Sequence, residues 1–292
     1  MMLAQQIANG LVLGAIYALS ALGFTLIFGA ARIVNFAYGE LLMIGAFFTV
    51  ALTSSLGLDF FVALPLAMAG AAAISVAIFY GTLKPVMKGN YTSLQSELQI
   101  ILVTLGLLYM LREAAVLTWG TAPRRLDMGI PGIIEIGDVI MTNTRLMVIA
   151  IMAVLVIGLY WLLYRTRIGK ALRAIAQNRE GAAAIGLDAN RIIAFVFAVS
   201  GAMACAAGSL LGALYAVDPA MGGPPLLKSF VIVIFGGLGS VPGAILGGLA
   251  IGLIETLAGA YVSFAFKDVF TFLALILVLV LRPTGLFGQP AR

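Results

Sequence analysis

The chain has 292 residues, 62% hydrophobic and only 10% charged, with a formal net charge of +5 and a mean hydropathy of +1.12. A soluble domain carries about 25% charged residues, so this chain has too little charge to cover a water-facing surface and takes the bilayer core as its solvent. That excludes a soluble enzyme, a disordered tail and a disulfide scaffold. Histidine is absent and Cys205 is the only cysteine, which leaves no intrachain disulfide and no thiolate or histidine metal site. The net positive charge does not point to nucleic acid, because the basic residues gather in one loop, as they do on the cytoplasmic side of membrane proteins.

A membrane helix needs about 20 consecutive apolar residues. In chain order the sequence predicts spans at 8–29, 38–56, 60–82, 98–118, 146–164, 192–216 and 266–281. The opening Met1-Met2-Leu3-Ala4-Gln5-Gln6 has no basic region, so the first span is expected to be a membrane helix rather than a cleaved signal. One more apolar stretch, 229–256, is interrupted by Gly236, Gly237, Gly239, Pro242, Gly243, Gly247, Gly248 and Gly252. Such breakers inside an apolar run predict a discontinuous helix or tight hairpin, sheltered by protein or a cavity. The expected fold is an all-α polytopic membrane protein of about eight transmembrane helices, with broken or re-entrant segments, in a single domain over 1–292.

Residues 165–191 carry Arg165, Arg167, Lys170, Arg173, Arg179 and Arg191 against Glu180 and Asp188. Residues 118–144 carry Arg124 and Arg125 against Asp127, Glu135 and Asp138. Six basic residues against two place the 165–191 loop in the cytoplasm. Parity then puts Arg32 and the Lys84–Lys88 loop inside, and Asp59 and the first residues outside. If 229–256 crosses twice, which is the favoured reading, Arg282 and Arg292 end inside. The glycosylation-like Asn90-Tyr91-Thr92 falls on the cytoplasmic side and is discounted.

Charges inside a membrane are costly and mark function by default. Asn35, Tyr38 and Glu40, between the first two spans, form either part of a substrate path or a cytoplasmic turn with Glu40 favourable for the next helix dipole. Arg112 and Glu113 are adjacent and cannot face one another on one helix, so they are expected to snorkel or pair elsewhere. Glu255 is equally open to either reading. Gly10/Gly14, Gly208/Gly212, Gly243/Gly247 and Gly248/Gly252 have the spacing that lets helices pack closely. Ile27-Phe28-Gly29 and Ile234-Phe235-Gly236 echo one another before polar breaks, which lends some support to a central role for both.

Within the basic loop, Gly169 to Glu180 has helical periodicity. Leu172, Ile175 and Ala176 share one face, continued by Ala183, while Lys170, Arg173, Gln177 and Glu180 share another. Gly181 weakens this helix and Gly186 is placed to cap it. Periodicity alone leaves two readings open, a cationic helix on lipid headgroups or a docking element.

Residues 176–186, Ala-Gln-Asn-Arg-Glu-Gly-Ala-Ala-Ala-Ile-Gly, resemble the coupling loop of ABC importer permeases, with Glu180, Ala182 and Gly186 matching and Gly181 departing from the motif. Asn9-Gly10-Leu11-Val12-Leu13-Gly14-Ala15-Ile16-Tyr17, Arg32-Ile33-Val34-Asn35-Phe36-Ala37-Tyr38-Gly39-Glu40, Gly236-Gly237-Leu238-Gly239-Ser240-Val241-Pro242-Gly243 and Arg282-Pro283-Thr284-Gly285-Leu286-Phe287-Gly288 are similar to segments of the branched-chain amino acid permeases. The match runs in the same order along nearly the whole chain and is closer to the LivH-like than to the LivM-like subunit. Tyr38 stands where many relatives have His.

The resemblance implies an ABC importer permease fold in the bacterial inner membrane. It implies a homologous permease partner, a LivM-like subunit rather than a second copy, two ABC ATPase subunits and an external binding protein. The coupling residues would be Lys170, Arg173, Gln177, Arg179, Glu180 and Gly186, and the substrate path would involve Asn9, Tyr17, Asn35, Tyr38, Glu40, Gly236, Gly237 and Gly239. The cargo would be a branched-chain or other small neutral amino acid, with urea or short amides as the near alternative and ion-driven secondary transport as the distant one. The only Gly-Lys pair, Gly169-Lys170, lacks the rest of a P-loop, so ATP is expected to be used by partners, with no cofactor, metal or catalytic site in this chain.

Overall fold

The computed structural model describes residues 2–87, 94–137 and 139–288. Lys88, the Asn90–Thr92 triplet, Asp138 and Arg292 lie outside the described residues, as does the side chain of Glu180. The helices are α1 (Met2–Ala31), α2 (Tyr38–Leu56), α3 (Phe60–Val86), α4 (Leu94–Trp119), α5 (Asn143–Arg165), α6 (Arg167–Gln177), α7 (Arg179–Ala184), α8 (Ala189–Leu214), α9 (Gly223–Gly236), α10 (Val241–Tyr261) and α11 (Lys267–Leu281). Between α4 and α5 stands a hairpin, β1 (Ile133–Ile136) and β2 (Val139–Thr142), with Ile133 opposite Thr142 and Ile136 opposite Val139. Among the described residues, eight helices are long and apolar enough to cross a bilayer.

The bundle is built around α1. This helix is apolar on all faces, which suits a helix enclosed by protein, and every residue from Gly14 to Ile27 is buried. Its nearest neighbour is α10, antiparallel to it. A Cβ on Gly14 would lie 2.8 Å from Leu249 Cα, and one on Gly248 would lie 2.5 Å from Ala18 Cα. Gly10/Gly14 of α1 and Gly248/Gly252 of α10 therefore face each other and bring two backbones into contact, where dispersion replaces the absent hydrophobic drive between lipid-bathed helices.

The interrupted stretch resolves into two helices. Gly236 ends α9, Gly237 (φ 103°) and Gly239 (φ 78°) take backbone conformations that side chains disfavour, and Ser240 Oγ accepts the Gly243 amide at 3.1 Å to start α10. The expected hairpin forms, but it begins at Gly223 rather than at 229, so Lys228 lies inside the first arm. With 14 residues, α9 is about 21 Å long, short of the ~30 Å of hydrocarbon. The first Ile-Phe-Gly stretch ends beside the break that follows the second, Gly29 facing Gly239.

The linker 32–37 folds back into the bundle instead of lying at its surface. Arg32 takes φ 53° to leave α1, and Ile33, Asn35 and Ala37 are buried. Tyr38 then donates its hydroxyl to the Ser20 carbonyl at 2.7 Å, with its ring edge-on to Phe24. Arg124 pairs backbone to backbone with Val217 beyond the end of α8, at the opposite end of the bundle from α6 and α7. In a Cys205→Ser background, Arg124→Cys and Lys170→Cys are expected to react with impermeant maleimide from opposite sides of sealed vesicles. Labelling from one side would overturn the charge-based orientation.

Candidate functional site

A cavity of about 580 Å³ opens between α1, α5, α8, α9, α10 and the turn before α11. Its polar lining includes Gln6, Asn9, Tyr17, Arg145, Asp218, Glu255 and Lys267, and its apolar lining includes Leu13, Leu211, Leu214 and Met221. At one end Arg145 Nη1 donates to Asn9 Oδ1 at 2.5 Å, and Gln5 Nε2 reaches the same oxygen at 3.3 Å. The other end abuts a group of charges held by α9, α10 and α11.

Lys228 is 6% exposed and Glu255 2%, burial that an ion survives only when paired. Lys228 Nζ contacts Glu255 Oε2 at 2.8 Å, Asp268 Oδ1 at 2.5 Å and Thr271 Oγ1 at 3.4 Å. Lys267 Nζ lies 3.1 Å from Glu255 Oε1, without hydrogen-bond geometry, so that this buried oxygen has no hydrogen-bond partner among the described residues. Two cations and two carboxylates make the group neutral overall. Only Glu255 was singled out in the sequence, and without a partner; Lys228 sits at the margin of the apolar run and Asp268 inside the last predicted span.

Of the path candidates, Asn9 and Tyr17 line the cavity. Asn35, Tyr38 and Glu40 are buried outside the cavity lining, in the linker after α1 and the first turn of α2, where only the Tyr38 side chain is seen to reach α1. Asn35 Oδ1 accepts the Ala37 amide at 3.1 Å, while its Nδ2 and Glu40 Oε2 have no hydrogen-bond partner among the described residues. Glu40 is buried, and it stands in the first turn of α2, where its charge suits the helix dipole. Arg112, half-buried on α4, is the cation whose field reaches it, whereas the adjacent Glu113 is exposed. Gly236 and Gly237 pack against Gly243 and Gly288, at the α9–α10 turn and away from the cavity.

The basic loop is two helices rather than one. Asn178 is extended and its Oδ1 accepts the Gly181 amide at 2.8 Å, which ends α6 and caps α7. Because of that break the inward face continues at Ala182 and not at Ala183. Thr166 caps α6 through the Gly169 amide at 3.1 Å. Arg173 donates to the Leu163 carbonyl, and Arg32 from the end of α1 reaches the Ala176 carbonyl at 3.5 Å. Ile175 and Ala182 are buried, while Lys170, Gln177, Ala183, Ala184 and Ile185 are exposed. Arg179 contacts Asn190 Oδ1 at 3.4 Å, and Gly186 takes φ 83°. The loop is thus fastened to α1 and α5 on one side and presents a cationic and small-residue surface on the other.

The chain matches the family described as "Branched-chain amino acid transport system / permease component" over residues 6–279. It is 33% identical to the high-affinity branched-chain amino acid transport system permease protein BraD of Pseudomonas aeruginosa, covering 98% of this chain and 96% of that protein. It is 34% identical to the corresponding LivH of Escherichia coli K12, with the same coverage. Against the probable LivH of Methanocaldococcus jannaschii the identity is 30%, over 92% of this chain and 88% of that one. Among solved structures, PsaBC from Streptococcus pneumoniae in complex with Fab shares the fold, with a TM-score of 0.51 over 98% of this chain and 93% of that chain at 14% identity. A family match spanning nearly every helix, on an eight-span apolar bundle, makes this a multi-pass membrane permease subunit of an ABC importer and not itself an enzyme. The chain belongs to the branched-chain amino acid transport permease family.

Proposed function

We propose that this permease carries branched-chain or other small neutral amino acids across the bacterial cytoplasmic membrane by alternating access. The observation that carries this reading is the relationship, along almost the whole chain, to permeases named for that cargo. A LivM-like permease pairs with it, two ATPase subunits dock on the α6–α7 loops, and an external binding protein delivers cargo. ATP is used by those partners; this chain binds no cofactor. Lys170, Arg173, Gln177, Arg179, Glu180 and Gly186 form its side of the ATPase contact. Supporting that assignment, the loop is capped at both helix starts and tied by Arg173 and Arg32 to the ends of α5 and α1.

The test is reconstitution of the co-purified complex in proteoliposomes with a leucine-loaded binding protein. ATP-dependent leucine uptake is expected. Uptake by this chain alone under an ion gradient would overturn the importer assignment, and uptake of urea or short amides in place of leucine would overturn the cargo. In the same assay, Glu180→Ala and Gly186→Val are expected to cut uptake on the order of tenfold while ATP hydrolysis continues, as a broken coupling contact does. Unchanged uptake would remove the loop from the coupling path.

A further inference from the structure

We infer that the 580 Å³ cavity receives the head group of a zwitterionic α-amino acid. Glu255 takes its ammonium, and Arg145 with Asn9 takes its carboxylate. The inference rests on the cargo reading above and adds to it a site within the permease itself.

The volume falls in the range of small-molecule sites, roughly 300–1,000 Å³, and the wall of Leu13, Leu211 and Leu214 suits an aliphatic side chain. The polar groups gather at two ends. Glu255 is 2% exposed and lines the cavity, with one oxygen hydrogen-bonded to Lys228 and the other ion-paired with Lys267 at 3.1 Å. A ligand ammonium, with three donors and a positive charge, matches Lys267 Nζ in chemistry and sign and can exchange with it at that oxygen. Lys267, 3.1 Å from the same oxygen and half-buried, keeps a route to solvent by which it can give way.

At the other end Arg145 has five donors, and its described hydrogen bond goes to the neutral Asn9. A planar guanidinium recognises a carboxylate through two parallel bonds. Asn9 and Tyr17, the latter beside Glu255, are eight residues apart on α1, about 12 Å along the axis. The long Tyr17 side chain leans back toward the helix start and shortens that gap toward the span of a small zwitterion hydrogen-bonded at both ends. Charge supports the same ligand. Arg145, Lys228 and Lys267 are matched by Asp218, Glu255 and Asp268 in and beside the cavity, so a zwitterion adds no net charge. An amine or a free acid would bring an uncompensated one into a low-dielectric setting.

Equilibrium dialysis of radiolabelled leucine, leucinamide and 4-methylpentanoate against the intact transporter in lipid nanodiscs, without binding protein, tests the site. Wild type is expected to prefer leucine over both analogues by about tenfold, the worth of a charged hydrogen bond. Arg145→Gln should erase the preference over leucinamide, and Glu255→Gln the preference over 4-methylpentanoate. Equal binding of the three ligands by wild type, or wild-type preferences in Arg145→Gln, would overturn the site. The Arg145 variant decides the matter even where Glu255→Gln fails to fold. Uptake of leucine from the loaded binding protein by wild type is scored separately: if it is present while the dialysis result is negative, the cargo reading stands and this site falls.

Discussion

Lys228→Met is expected to destabilise the permease by about 3–5 kcal/mol, the cost of stripping one partner from a buried ion pair. The substitution leaves the Glu255 carboxylate, 2% exposed, with Lys267 as its remaining cation at 3.1 Å. Asp268 loses its partner too, but its side chain is 57% exposed and water covers much of that loss. Removing charge from both sides, in Lys228→Met with Glu255→Gln, should therefore recover most of the stability. Thermal unfolding of the detergent-purified protein, followed by size-exclusion monodispersity, reads both effects. A single variant as stable as wild type, or a double variant worse than the single, would show that the group does not hold α9 to α10 and α11.

The second large effect is steric. A side chain at Gly252 would run into the backbone of Gly14 on α1, and neither helix can yield without moving the bundle centre. Gly252→Val is expected to cost at least about 3 kcal/mol, at the upper end of overpacking, and to reduce the yield of folded protein in the membrane. Gly158→Ala on α5 is the matched control. Nothing lies within 4 Å of a Cβ there, so the change should be neutral or stabilising by up to about 1 kcal/mol. Equal behaviour of the two variants would mean that α1 and α10 are not in backbone contact.

Much of this architecture is legible in the sequence because the bilayer imposes a length and polarity rule on every crossing. The span at 38–56 coincides with α2, the span at 98–118 ends one residue short of the end of α4 but starts four residues after its beginning, and the glycines of 236–252 mark both the α9–α10 turn and the face that meets α1. The first helix is longer than predicted, starting at Met2, since Gln5, Gln6 and Asn9 lowered the local hydropathy without breaking the helix. The hairpin Ile133–Thr142 escaped notice inside a loop read only for its charge.

The site is less legible for a different reason. Asn9 and Tyr17 emerged through resemblance, whereas Arg145, Lys228, Lys267 and Asp268 did not emerge at all. Their meaning lies in partners 27 and 40 residues away along the chain, as for Lys228 with Glu255 and Asp268. Linear pattern does not encode which helix stands beside which. A signal was nonetheless present: in a chain this poor in charge, a lysine, a glutamate and an aspartate at three neighbouring apolar segments sum nearly to zero. Charge conservation among spans is a clue that hydropathy windows discard.

The brevity of α9 has its own consequence for the backbone. A helix that starts below the surface of the protein exposes its first amide hydrogens where water is scarce, and each one left without an acceptor is expensive. Here the second and third residues of the helix are Pro224 and Pro225, which have no amide hydrogen to satisfy. The Gly223 amide bonds to the Ala220 carbonyl, and the Leu226 amide to that of Gly222. All four starting positions are therefore settled without solvent. This lets a helix shorter than the bilayer core end inside the protein, and the space above it is where the cavity, with Pro224 and Pro225 in its wall, can exist.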